Sequence, residues 1–250
     1  MIVLKTIFSR WWIMIRLVKN EYIKIGFYKI IIMFITFFII VCLLYKYNSL
    51  DVALNKSFNL IPFVGVSSSI LFSGIISTEY TNGNFRYYLT KPVKRWKIYF
   101  SKIISIFLYM LILVVFLILV NLIFIKKFDT SYMYKFILYS SSLIFIGTHI
   151  IFFSTLFKNT ALVVGINMFI TIFSFIVSQI LLGYGFVLIE YTPFPYLELN
   201  LFDDKMMFYS INQDLGCNLS LRNGIIIDII YSILYYILGN KMFNKKDIRI

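Results

Sequence analysis

The chain is 250 residues long, 60% hydrophobic and 20% aromatic, with charge on only 14% of its positions and a mean hydropathy of +0.87. Soluble domains carry roughly 45–50% apolar and about 25% charged residues, so a soluble core of this size cannot hide the apolar surface, and the chain reads as a polytopic membrane protein. The formal charge of +13 lies in short basic strips beside apolar runs, the pattern of topology determinants rather than of a nucleic-acid footprint.

No polar region is long enough to fold separately, so residues 1–250 read as a single transmembrane domain. Cys42 in an apolar run and Cys217 in a polar loop form no disulfide framework and no metal spacing. The first residues lack an apolar run followed by a small-residue cleavage site and are expected to stay in the mature protein. Heavy use of Ile, Lys, Asn, Phe and Tyr points to the AT-rich genome of a low-GC bacterium.

Residues 9–26 read as an amphipathic helix. Trp11, Met14, Ile15, Val18, Tyr22 and Ile25 form one stripe, with Arg16, Asn20 and Lys24 opposite and Lys19 and Glu21 on the flanks. Such a helix lies in the headgroup plane with its aromatic face towards the acyl chains; an extension of the first span is the alternative. Span 1 is 30–45, closed by Lys29 and Lys46. Its length reaches about 24 Å, and snorkelling of the two lysines covers the rest of a ~30 Å core. Residues 46–57 form an outer loop. Span 2, 58–78, is irregular, and Gly65, Ser69, Ser73 and Ser77 recur in it every four residues. This small-residue seam lets another helix approach closely, whether for packing within the chain, for a dimer contact or along a pathway.

The polar stretch 79–102 carries six Lys or Arg and one acid, Glu79. Span 3, 103–125, has no charge for 23 residues, enough to cross a ~30 Å core. Span 4, 136–157, contains His149, which has no Cys, Asp or Glu at ligand spacing and reads as a packing residue. Span 5, 160–183, carries Thr160, Asn167, Thr171, Ser174 and Ser178 on one face. Polar side chains in a span face protein or a cavity, so this stripe either lines a substrate route or ties helices together. Residues 184–222 form a long acidic and aromatic extracellular loop, expected to hold short helices dipping into the outer leaflet. Span 6 is 223–239, with Asp228 one turn inside and expected to face the outer loop, where Arg222 is the candidate partner.

Six spans put both termini on one side. Seventeen Lys and Arg fall on that side against seven on the other, whereas three acids face eight. The excess of positive charge makes the termini and the 79–102 loop cytoplasmic, in a multi-pass protein of the cell membrane. The expected fold is therefore an all-α membrane protein of six transmembrane helices with an interfacial helix at its N-terminus.

No H-E-x-x-H, paired glutamates, Cys/His set, G-x-S-x-G or phosphate-binding G-x-x-x-x-G-K-[ST] occurs in the sequence. The spans also lack the mid-membrane carboxylates and internal repeat of a proton-coupled transporter. A subunit whose conformational change is driven from elsewhere is what remains.

Three motifs then point to a family. The amphipathic helix contains K-N-E-Y-x-K (Lys19 to Lys24), and the loop reads E-Y-x-N-G-x-x-R-Y-x-L-x-K-P-V-x-R (Glu79 to Arg95). Near the C-terminus stands F-N-K-K-D-I (Phe243 to Ile248). With the six-span layout, these resemble the ABC-2 type permeases, whose loop follows an E-x-x-x-G-T…L-x-x-P-x-S-R pattern. Asn84 stands here where Thr is frequent, and Lys94 where Ser is frequent.

The resemblance implies a non-enzymatic permease subunit, with a second copy or sister permease and two ATP-binding subunits as partners. It implies no cofactor in this chain, ATP and Mg being held by those partners; the remaining contacts are membrane lipids and not nucleic acid. It also implies a cytoplasmic coupling helix within Glu79–Leu89. The candidate coupling residues are Glu79, Gly83, Phe85, Arg86, Leu89, Pro92 and Arg95, with Trp11, Lys19, Glu21 and Lys24 on the interfacial helix. Ser69, Ser73, Asn167, Thr171, Ser174 and Ser178 belong to a substrate path or a helix interface. Ser77 or Thr78 would cap the coupling helix, Glu79 would favour its positive end, and Lys91–Pro92 would end it. The implied activity is export of hydrophobic or amphipathic peptides and antibiotics, for secretion or immunity. Lipid-like or drug cargo, or a non-transporting scaffold or sensor, are the competing readings.

Overall fold

A computed structural model describes residues 2–49, 60–82, 93–125, 131–197 and 219–245. Among these all regular structure is helical: α1 Ile2–Ile25, α2 Phe27–Tyr47, α3 Ile61–Phe72, α4 Gly74–Thr81, α5 Arg95–Ile125, α6 Ser131–Leu156, α7 Thr160–Gly183 and α8 Leu221–Lys245. By length and composition α2, α5 and α8 are apolar enough to cross a membrane, and shorter apolar stretches occupy 63–79, 140–156 and 160–174.

Helix α1 turns into α2 at Gly26, whose φ of 89° lies in the left-handed region. A side chain there would be strained and would also meet the Tyr28 ring at 3.0 Å. The stretch read as span 2 holds two successive helices, α3 and α4. The break falls at Ser73, and the amides of Ile76 and Ser77 in the first turn after it donate to Ser154 Oγ of α6, both at 3.2 Å.

Helix α5 is the centre of the bundle. Ile98, Lys102, Ile106, Tyr109, Leu113 and Leu117 are buried along it at helical spacing, whereas Ile112, Leu119 and Ile123 point outward. It begins eight residues before the expected start of span 3. The basic stretch is thus helical from Arg95 onward, and the connection between α4 and α5 is correspondingly shorter than the sequence reading made it.

Contacts fix how the helices run. Helix α2 is parallel to α5, because Phe34 meets Phe116 and Tyr45 stacks on Phe124. The α3–α4 pair is antiparallel to α5, through Ser67 with Tyr109 and Glu79 with Lys102. It is antiparallel to α7 through Gly65 with Thr171 and Ser77 with Thr160, and parallel to α6 through Gly65 with Ile146 and Ser77 with Ser154. Helix α8 lies parallel to α6, where Ser142 meets Asp228 and Phe152 meets Tyr235. It lies antiparallel to α5, where Phe100 meets Tyr236 and Arg95 meets Asn244. Between α6 and α8, His149 is buried among Phe145, Phe153 and Tyr235. After α7, two short 3-10 turns, Val187–Tyr191 and Phe194–Tyr196, pack on α7 and bury Pro195 and Tyr196. The rest of the expected extracellular loop, 198–218, lies outside the described residues.

Candidate functional site

The densest concentration of buried charge joins α1, α4 and α5. On α1 the inward stripe is Met14, Leu17, Glu21, Tyr22 and Ile25, so Glu21 lies at its centre, 2% exposed, and not on the flank the sequence suggested. Ile15, on the apolar stripe read from the sequence as facing the acyl chains, is exposed and takes no part in the contact with α5. On α4, Glu79 follows Ile75 and Ile76 on the buried face; on α5, Lys102 occupies a core position between Ile98 and Ile106 and is wholly buried.

Lys102 Nζ donates to Glu21 Oε1 at 3.0 Å, to Glu79 Oε1 at 2.9 Å and to the Ile75 carbonyl at 2.9 Å. An ammonium has three hydrogens to donate, and here they reach two helices besides its own. Lys24, half-exposed, closes the cluster from outside, reaching Glu21 Oε1 at 3.1 Å and Glu79 Oε1 at 2.5 Å. Two ammonium and two carboxylate groups balance, the condition under which buried charge is tolerated. Tyr22, next to Glu21, donates its hydroxyl to the Ser105 carbonyl at 2.8 Å. Burial, with Tyr109 nearby, pushes the Tyr22 hydroxyl well above the usual tyrosine range, so it stays a neutral donor. Helix α1 is thereby fixed to α5 by an ion pair and a hydrogen bond one residue apart.

Glu79 corrects a second expectation. It is near the end of α4 and not at the start of a separate helix, and Ser77 and Thr78 are interior to α4 and cap nothing. Their hydroxyls bond back one turn, Ser77 Oγ to the Ser73 carbonyl at 3.2 Å and Thr78 Oγ1 to that of Gly74. Gly83, Phe85, Arg86, Leu89 and Pro92 lie outside the described residues, as does the Trp11 side chain. Arg95 opens α5 and donates to the Asn244 carbonyl of α8 at 2.9 Å. Lys19 is exposed and takes no part in the cluster.

The two small-polar stripes prove to be opposite sides of one contact. Ser69, Ser73 and Ser77 are fully buried, as are Asn167, Ser174 and Ser178, with Thr171 at 9% exposure. A Cβ at Gly65 would fall 2.9 Å from the Thr171 methyl, and Ser77 and Thr160 hydroxyls lie 3.1 Å apart. The stripe hydroxyls of Ser69, Ser73 and Thr171 bond carbonyls one turn back in their own helices, which satisfies those hydroxyls while the backbones approach closely.

Asp228 departs from expectation as well. It is fully buried, and Ser141 and Ser142 of α6 donate to its Oδ2 at 3.1 and 2.8 Å, while Arg222 is exposed. Lys102, Ser141 and Ser142 were therefore not singled out from sequence. Lys102 sits at the head of an otherwise uncharged run, and the Ser140–Ser142 run in span 4 was the signal for a polar partner.

The sequence profile of a family described as "Protein of unknown function (DUF2705)" matches residues 44–249. No curated protein matches the chain significantly.

Proposed function

We propose that this chain, which belongs to the DUF2705 family, is the six-span permease subunit of an ATP-driven ABC exporter of hydrophobic or amphipathic peptides. The observation that carries the reading is the buried cluster of Glu21, Glu79, Lys102 and Lys24. The acid inside the K-N-E-Y-x-K segment and the acid that opens the loop motif are two residues of one site. Residues 83–92 join α4 to α5 in the chain, and Glu79 and Arg95 stand on either side of them. A push on that connection has a stiff route to α1 through Glu21, and to α8 through Arg95 and Asn244.

The alternating helix directions support six crossings. Helices α2, α5 and α7 run one way, whereas α3–α4, α6 and α8 run the other, as successive spans must. The charge distribution supports a cytoplasmic position for the cluster and both termini. In this reading ATP and Mg belong to two partner subunits, a second permease copy completes the translocator, and the chain catalyses nothing.

The test is co-expression with an ATP-binding subunit, followed by reconstitution. The wild-type chain is expected to co-purify with the ATPase and to support export of a cationic amphipathic peptide. Leu89→Asp is expected to insert normally and lose export. Unchanged export in Leu89→Asp removes the coupling role, and failure of the chain to retain any ATPase after cross-linking favours the non-transporting scaffold.

A further inference from the structure

Beside the ion cluster a groove runs between α2 and α3–α4. A cavity of about 410 Å³ is lined at its polar end by Glu21, Lys24, Lys29, Thr78 and Glu79, and by Ile32, Met33 and Ile70 beyond. A second cavity, about 350 Å³, is walled by Phe37, Ile40, Phe63 and Val66 and shares Met33 and Ile70 with the first. The two adjoin at Met33 and Ile70, the first charged at one end and the second almost wholly apolar. Its walls include Ile32, Ile70 and Phe63, about half exposed each.

The dimensions and charges select an occupant. Lys29 and Ile40 stand eleven residues apart on α2, about 16 Å along the helix and so half of a ~30 Å hydrocarbon core. The groove is one leaflet deep. Its polar end is lined by Lys24 and Lys29 with Glu21 and Glu79. Both carboxylates are already paired by Lys102, which is buried behind them and does not line the cavity, so the site as a whole carries one positive charge in excess. Lys29 carries that excess. It is exposed and lies over the Tyr28 ring at 5.8 Å, and it has no ion pair among the described residues. A phosphate at Lys29 and Lys24 with an acyl chain along Met33, Ile70 and Phe37 satisfies both ends at once, as basic pockets between membrane helices do for lipid headgroups.

We infer that this groove is a binding site for one anionic glycerophospholipid of the leaflet that holds α1. Its assignment to the cytoplasmic leaflet rests on the orientation proposed above; the site itself does not. Bound lipid lies against Lys24 and Glu79, and so against the element that links α1 to α4.

The full chain, purified in detergent, is titrated with phosphatidylglycerol and with phosphatidylcholine of the same acyl chains, and bound lipid is counted by native mass spectrometry. The wild-type chain is expected to bind one phosphatidylglycerol at least tenfold more tightly than phosphatidylcholine. Lys29→Glu should erase that preference and Lys29→Arg should keep it. Ile70→Trp, which plugs the junction of the two cavities, should remove the bound lipid; Thr36→Trp on the facing helix serves if the first variant does not fold. Equal binding of the two lipids, an unaltered preference in Lys29→Glu, or full displacement by millimolar inorganic phosphate overturns the assignment, the last by showing a free-anion site. No ATPase partner is needed, so failure here counts against the groove and leaves the coupling reading standing.

Discussion

Lys102→Met is the sharpest test of the ion cluster. Methionine keeps the length and apolar stem of the side chain and removes the ammonium, with its three bonds to Glu21, Glu79 and the Ile75 carbonyl. The two buried carboxylates are then left to share half-exposed Lys24, and the cluster goes from neutral to one net negative charge. Removing one partner of a buried ion pair costs about 3–5 kcal/mol, because the remaining charge stays uncompensated. At about 2–4 °C per kcal/mol for a chain of this size, the midpoint should fall by about 6–20 °C. Glu79→Gln alone should also destabilise, since it leaves an excess positive charge. Combined with Lys102→Met it restores neutrality around Lys24 and Glu21. The double variant is therefore expected to be more stable than the sum of the single effects predicts, by about 0.5–3 kcal/mol. The assay is thermal unfolding of the detergent-purified chain followed by circular dichroism. A Lys102→Met midpoint within about 2 °C of wild type, or strict additivity in the cycle, would refute a compensated buried cluster.

Two further outcomes follow from close contacts. A Cβ at Gly239 would lie 1.9 Å from the Tyr99 hydroxyl, and Tyr99 is itself fully buried. Gly239→Ala should cost about 1–3 kcal/mol by overpacking, and Tyr99→Phe in the same chain should recover part of it in the same melting assay. Asp228→Asn keeps an acceptor for Ser141 and Ser142 and is expected to melt close to wild type. Asp228→Leu leaves both hydroxyls without it and should cost about 1–3 kcal/mol; equal midpoints for the two variants would remove the role of those hydrogen bonds.

The parts of the fold legible in the sequence are those set by local pattern. The charge-free run after Lys102 and the helical period of residues 9–26 follow from composition and pattern. The two small-residue stripes were also visible. What could not be read was that they face each other, because the pairing of Gly65 with Thr171 is a long-range fact and a single sequence carries no record of it. The face of α1 was misplaced for a related reason. Hydropathy assigns a glutamate to the outside, and the rule fails where a lysine eighty-one positions later is buried against it. Asp228 is the same case, with serines in place of lysine.

That common cause bears on what the cluster does. Apolar side chains of similar volume would hold α1, α4 and α5 together at least as well, because desolvation takes back most of the Coulombic gain in a buried pair. Charge adds selectivity of position. Lys102 bonds Glu21, Glu79 and the Ile75 carbonyl together, so it reads the positions of α1 and α4 at once. Sliding α1 by one turn, about 5.4 Å, carries Glu21 and Lys24 away together and breaks the Glu21–Lys102 and Lys24–Glu79 contacts at once. An apolar contact would tolerate the slide with partial loss, whereas the ion cluster makes it an all-or-none step. Two such arrangements separated by a step are what a helix must have if a push on the connection between α4 and α5 is to become a discrete change at the membrane surface. The half-exposure of Lys24 matters in the same way, because it is the one member of the four that an anionic headgroup or a partner subunit can reach without dismantling the rest.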